Sequence, residues 1–274
     1  MARVLILSSF VAASRVGGGA QALALARLGI EPILVPSVLF GRHPGHGPPG
    51  GAAIEPAVFE AMLGGVEAQG LFAGLDAAIT GHFSSAEQVA IAAQALARIK
   101  RVSPRARLVV DPIMGDADNG LYVREPVAEA IAAELVPDAD LLAPNAWELA
   151  RLSGRPVSDR ASAVDAARAL GRPTLVSSLT ADADIGVAYV EAGAEWLATH
   201  ARRRTAPKGT GDLLTAMFTA ALVQGRAPPE ALELAVGVLA EAVADPASGD
   251  ELPISAMPAM LAASPRVTLR RLES

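Results

Sequence analysis

The 274-residue chain has no cysteine, which excludes disulfides, thiolate nucleophiles and every Cys-containing zinc or iron–sulfur site at once. Aromatic residues make up only 4%, too few for a surface that stacks nucleic-acid bases. Positive charge is also short: 23 Lys+Arg stand against 29 Asp+Glu, a net charge of −6. That balance argues against a partner built on a phosphate backbone. Lysine is nearly missing, with only Lys100 and Lys208 among the basic residues. No apolar run reaches the roughly 18 residues of a membrane span. The stretch Met1 to Ser8 lacks the charged region, long apolar segment and cleavage site of a secretion signal. The expectation is a soluble cytoplasmic protein.

What the chain does contain is 51% hydrophobic residues, swollen by alanine and sufficient for a sizeable core. Short β-branched and Leu-rich runs alternate with longer Ala-rich segments, the pattern of a mostly parallel sheet covered by helices. Val4 to Leu7, Pro32 to Val35, Ala77 to Thr80, Leu108 to Val110, Asp140 to Leu142 and Thr174 to Ser177 read as strands. Gly186 to Val190 and Glu195 to Ala198 read as an antiparallel hairpin on the sheet edge. Helices are expected over Ala20 to Leu28, Asp212 to Gln224 and Pro229 to Ala244. Phe40 to Gly51 and Gly115 to Gly120 read as mobile loops of the kind that act as lids. The whole chain, residues 1–274, is read as one α/β domain.

In open parallel sheets ligands bind beyond the carboxyl ends of the strands. The turns Ser8-Ser9, Thr80-Gly81-His82, Asp111-Pro112 and Pro144-Asn145 therefore belong to one expected rim. The most specific motif is Lys208-Gly209-Thr210-Gly211-Asp212 before the apolar run Leu213 to Ala221. Its glycines permit a tight turn with bare N–H groups, and the helix dipole adds partial positive charge, so the turn forms an anion hole. Asp212 then reads either as a proton acceptor beside that hole or as an ordinary N-cap. Asp111 ends a buried strand and reads as a rim carboxylate or as a turn-forming Asp-Pro. Asn145 and Glu148 have capping-box spacing, while Asp111 and Glu148 together could share a magnesium ion through its waters. Val16 to Gly19 is not a dinucleotide fingerprint, and no Walker A pattern occurs. His43 and His46 sit in a Gly/Pro loop, where a part in a substrate lid is preferred over metal binding.

Taken in order, Asp111-Pro-Ile-Met-Gly-Asp116, Leu121-Tyr122-Val123, Ala143-Pro-Asn-Ala-Trp-Glu148, Ser177-Ser178 and Gly209-Thr-Gly-Asp212 resemble the pyridoxal kinases of the ribokinase-like superfamily. The resemblance runs from about Val4 to Ala240. It implies a ribokinase-like α/β fold, with a mostly parallel central sheet, helices on both faces and an antiparallel edge hairpin. It also implies ATP-dependent phosphorylation of the 5′-hydroxymethyl group of pyridoxal or a related B6 vitamer, by a homodimer. MgATP is the expected donor, and the pattern allows a monovalent cation. By the same resemblance Asp212 is the base, with Gly209, Thr210 and Gly211 forming the anion hole. Asp111 and Glu148 organise Mg²⁺ and the phosphates. Asp116, Tyr122, Asn145, Ser177 and Ser178 lie on the ATP side, with Asp116 to Val123 as a flap. Ser9, Ser37, His43 and His82 lie on the vitamer side.

His82 stands where the family has a tyrosine, so it is expected to line the vitamer pocket and to titrate near neutrality. Two alternatives share the fold: a hydroxymethylpyrimidine kinase, which carries Gly-Thr-Gly-Cys in place of Gly-Thr-Gly-Asp, and a non-catalytic protein that binds vitamer or nucleotide.

Overall fold

The computed structural model describes all residues except 182, 204–206, 246–248, 255–260, 262–266 and 273–274. The chain begins with β1 (Arg3–Val11), α1 (Gly17–Arg27), β2 (Glu31–Phe40), β3 (Gly51–Ala53) and α2 (Pro56–Ala68). Next come β4 (Ala77–Thr80), α3 (Ala86–Val102), β5 (Arg107–Val110), the short β6 (Gly115–Asp116) and β7 (Gly120–Leu121), and α4 (Glu125–Ala130). They are followed by β8 (Leu141–Leu142), α5 (Ala146–Ser153), α6 (Arg160–Ala169), β9 (Thr174–Ala181), β10 (Asp184–Glu191) and β11 (Ala194–Ala201). The described residues close with α7 (Thr210–Val223), α8 (Pro228–Ala244) and β12 (Thr268–Arg271).

Ten strands form one sheet in the order β12-β11-β10-β9-β8-β5-β4-β1-β2-β3. The central run from β2 to β9 is parallel, and both flanks are antiparallel. Side chains alternate across a strand, so β1 feeds two cores. Val4 and Ile6 pack with α1, α7 and α8 on one face, while Leu5 and Leu7 pack with α2, α3 and α4 on the other. A strand buried on both faces reads as a continuous apolar run, which is why Val4 to Leu7 stands out in the sequence. A third cluster seats α5 and α6 on β9 and β10. Helix α7 is buried along nearly its whole length, from Asp212 to Leu222, consistent with its lack of a polar face.

Four expectations need correction. The hairpin of β10 and β11 is not at the edge, because β12 pairs with β11 outside it. Thr-Leu-Arg-Arg offers one apolar residue and no alternation, so this strand leaves little trace in the sequence. Ser8 and Ser9 do not form a turn either. Strand β1 continues to Val11, and Ser9 lies opposite Ser37 and Val38 at a bulge between the Ser8–Pro36 and Phe10–Leu39 pairs. Helix α1 starts three residues early at Gly17, and α7 two residues early at Thr210. Finally, Gly115 to Gly120 is not simply a loop, since it holds the antiparallel pair β6–β7.

Candidate active site

The start of α7 sets the geometry. Gly209 takes φ +88°, and a Cβ there would lie 2.3 Å from the Arg15 carbonyl oxygen, so only glycine fits. Because the helix begins at Thr210 with Gly209 at the N-cap, Asp212 sits three positions past the cap, and no side-chain cap bond forms. The N-cap reading of Asp212 is thereby overturned. Its Oδ2 instead accepts the backbone N–H of Gly17 at 2.8 Å, and its Oδ1 is buried with no hydrogen-bond partner among the described residues. Burial pushes the Asp212 carboxyl up to about 6, opposed by the Gly17 N–H. Gly17 has φ +60°, and a Cβ on it would strike Ser9 Oγ at 2.0 Å. Ser9, Gly17 and Asp212 are therefore contiguous.

Asp111 ends up buried just beyond β5, where Thr215 Oγ1 donates to its Oδ2 at 2.8 Å. Burial raises its pKa well above the ordinary value, and the charges of Glu148 and Asp212 raise it further. Glu148 does what its spacing promised. Asn145 Oδ1 accepts the Glu148 N–H and Glu148 Oε2 accepts the Asn145 N–H, both at 2.9 Å, closing a capping box at α5. Its other oxygen, Oε1, accepts the N–H groups of Met114 at 2.9 Å and Gly115 at 3.3 Å, clamping the loop that follows Asp111. Burial pushes Glu148 up to about 7 even though these N–H groups favour the anion.

Among the described residues no ion pair reaches Asp111, Glu148 or Asp212. Three converging buried carboxylates without a cation suit a hard divalent ion. Also among the described residues, no three His, Asp or Glu side chains are grouped as direct ligands of one ion. With both Glu148 oxygens engaged by backbone, that residue fits contact through metal-bound water rather than direct ligation.

In the segment expected on the ATP side, the Asp116 carboxylate accepts from Asp118 N, Asn119 N, the Asn119 side chain and the Tyr122 hydroxyl. These bonds outweigh burial and lower its pKa. Asp116 thus braces the β6–β7 hairpin, and Asn145 Nδ2 ties that hairpin to α5 through the Gly115 carbonyl at 2.8 Å. Ser177 bridges to Asn145 in parallel register, its N–H donating to Pro144 O at 3.1 Å. Ser178 is exposed at φ +63°, at the point where β9 loses register with β10. A non-glycine residue in the left-handed region beside a bulge is backbone held in a strained form.

Among the residues expected on the vitamer side, the Ser37 hydroxyl donates to the His82 carbonyl at 2.5 Å, and the His82 N–H donates to Ser8 Oγ at 3.3 Å. The His82 Nδ1 is buried without a partner among the described residues. Burial lowers its pKa to about 4, so the expected titration near neutrality does not occur: the ring is neutral. His43 is half-buried; its N–H donates to Ser14 Oγ at 3.3 Å and its Nδ1 accepts from Gly45 N at 2.9 Å. Burial and then Lys208 lower its pKa.

Sequence reasoning missed several neighbours. Lys208 lies against this loop, where a Cβ on Gly45 would come 3.0 Å from its Nζ. The Arg15 N–H donates to Glu251 Oε2 at 2.8 Å, tying the first turn to the segment beside Lys208. Thr215 was findable, since it lies three residues beyond Asp212 on the same helix face.

A glycine turn that opens a buried helix, with Asp212 in its first turn, Asp111 just beyond β5 and Glu148 in α5, sits on a mostly parallel sheet of ribokinase-like α/β fold. The sequence profile of the family described as Phosphomethylpyrimidine kinase matches residues 62–252. The pyridoxine/pyridoxal/pyridoxamine kinase of Bordetella avium is 38% identical over 249 residues, covering 88% of this chain and 84% of that protein. The pyridoxal kinase PdxY of Deinococcus radiodurans is 33% identical over 250 residues, covering 86% and 84%. Among solved structures, pyridoxal kinase from Leishmania donovani in complex with ADP and pyridoxine superposes with TM-score 0.90 at 25% identity, covering 99% of both chains. The chain belongs to the pyridoxal kinase family of the ribokinase-like superfamily, and it is an enzyme, a kinase that uses ATP to phosphorylate B6 vitamers. Among the described residues, no helix is long and apolar enough to cross a membrane.

Proposed function

We propose that this kinase transfers the γ-phosphoryl group of ATP to the 5′-hydroxymethyl oxygen of pyridoxal or a related vitamer, with the hydroxyl proton passing to Asp212. The observation that carries the reading is Asp212 itself. One of its oxygens is held by Gly17 N–H while the other is buried and, among the described residues, unpartnered. A carboxyl with a pKa of about 6 is ionised at neutral pH yet basic enough to take a proton as the oxygen attacks. The N–H groups of the Gly209–Gly211 turn are the donors that would stabilise negative charge growing on the transferring group.

Asp111 and Glu148 would hold Mg²⁺, which would supply charge neutralisation for the ATP phosphates. Asn145, Ser177, Ser178 and the hairpin braced by Asp116 and Tyr122 form the ATP side. Ser9, Ser37, His82 and the His43 loop form the vitamer side, with Ser37 acting through the His82 carbonyl it holds. We infer that the enzyme works as one kinase domain spanning residues 1–274, as a homodimer and in the cytoplasm; the homodimer rests on the family resemblance, the domain and the compartment on the sequence pattern.

Asp212→Asn tests the base. Pyridoxal-dependent ADP release should fall by about 10²- to 10⁴-fold with the thermal midpoint retained, and a fully active variant would remove Asp212 from that role. The matching profile of a phosphomethylpyrimidine kinase family favours one second reading, in which hydroxymethylpyrimidine is also accepted. A substrate panel of pyridoxal, pyridoxine, pyridoxamine and hydroxymethylpyrimidine decides it.

A further inference from the structure

Helix α7 brings a second polar side chain to the site one turn below Asp212. Thr215 is 2% exposed, and its Oγ1 donates to Asp111 Oδ2 at 2.8 Å. A threonine inside a helix ordinarily turns its hydroxyl back to the carbonyl four residues earlier. Thr215 gives its hydroxyl to a residue 104 positions away instead. Among the described residues Thr215 is the one side chain that donates to the Asp111 carboxylate. Among the described residues Asp111 Oδ1 accepts no hydrogen bond, so the pinned Oδ2 leaves one oxygen for another partner.

We propose that Thr215 is a positioning residue: its hydroxyl fixes the orientation of the Asp111 carboxylate and so leaves the other oxygen to receive the metal–nucleotide complex. The inference rests on the assignment of Asp111 to Mg²⁺ and the ATP phosphates, and it makes α7 the element that sets both the base and the metal-side carboxylate.

The test compares Thr215→Val, which keeps shape and removes the hydroxyl, with Thr215→Ser, which keeps the hydroxyl. Calorimetric titration with ADP is run with and without Mg²⁺, alongside KM and kcat for ATP and for pyridoxal. Thr215→Val should weaken ADP binding in the presence of Mg²⁺ by about tenfold, the scale of a hydrogen bond to a charged group. ADP binding without Mg²⁺ and the pyridoxal KM should stay unchanged. Thr215→Ser should restore binding to near wild type. Equal loss in the Val and Ser variants, or no Mg²⁺-dependent loss in Val, overturns the proposal. If Thr215→Val does not fold, Thr215→Ala must show the same Mg²⁺-dependent loss, and its absence there overturns the proposal equally. Asp111→Asn separates this inference from the reading beneath it. If that variant keeps Mg²⁺-dependent ADP binding, the assignment of Asp111 fails; if it loses binding while Thr215→Val does not, only the role of Thr215 fails.

Discussion

The backbone N–H of Gly17, the first residue of α1, donates to Asp212 Oδ2 at 2.8 Å, across 195 positions of chain. Two helices therefore begin at one carboxylate: α1 aims its first N–H at it, and α7 carries it in its first turn. Both helix dipoles favour the anion. They oppose a burial cost that still leaves the carboxyl at about 6.

That balance sets a pH profile. The base form of Asp212 prevails above about pH 6, so kcat/KM for pyridoxal should fall about tenfold per pH unit below it. An acid limb centred near 4 would show that Asp212 is not the group that titrates in turnover.

Stability should follow the opposite direction. The folded value of about 6 exceeds the unfolded reference of 3.8, so the folded state binds this proton more tightly. The resulting contribution is fully present below pH 3.8 and is lost as pH rises through about 6. Asp212→Asn lacks it, so the thermal midpoint of the variant relative to wild type should rise between pH 4 and 7. Midpoints measured across that range check the slope, and a variant midpoint that falls relative to wild type as pH rises contradicts it.

Glu148→Gln should fail twice. The two carboxylate oxygens accept N–H groups from Met114, Gly115 and Asn145, and an amide must turn its NH₂ toward one of these donors. A loss of about 1–3 kcal/mol of stability is expected, with a raised KM for MgATP and unaltered pyridoxine binding. Denaturant melts and calorimetry measure the two parts separately.

The glycines of α1 should differ sharply. Gly17→Ala puts a Cβ 2.0 Å from Ser9 Oγ at φ +60° and should cost more than about 1 kcal/mol together with most of the turnover. At Gly19 a Cβ would meet only Phe10 ring carbons, the nearest at 3.5 Å. Gly19→Ala should gain roughly 0.5 kcal/mol from helix propensity and keep activity. Equal effects in the two variants would show that the Ser9–Gly17 approach does not matter.

Neutral His82 makes vitamer affinity insensitive to its protonation. Pyridoxine dissociation constants for wild type and His82→Gln, measured from pH 5.5 to 8, should keep a constant ratio. A ratio that bends near pH 6.5 would place a charged imidazole in the pocket.

Much of this was legible in the sequence because the signals are local. The capping box needs only Asn145 and Glu148 three positions apart, and the glycine turn before an apolar helix marks Asp212 directly. What stayed hidden depends on distant partners. Val16 to Gly19 could be tested against a nucleotide fingerprint and set aside, yet the need for glycine at position 17 comes from Ser9 and Asp212, which only the fold brings near. Asp212 read equally well as a cap until Gly209 took that position. The bulges at Ser9–Ser37 and Ser177–Ser178 change backbone pairing without changing residue pattern. Titration of His82 could not be foreseen, since it depends on how deeply the ring is buried.

The bond from Arg15 to Glu251 Oε2 spans 236 positions. Strand β1 and helix α1 are synthesised before the other elements described, but the turn between them is fastened by a residue made 236 positions after Arg15. Contacts this far apart are among the slowest to form, because the intervening loop must close before they contribute. The anion hole, whose Gly209 packs on the Arg15 carbonyl, is therefore assembled after the sheet, and a partly synthesised chain can own most of its core while remaining unable to act on substrate.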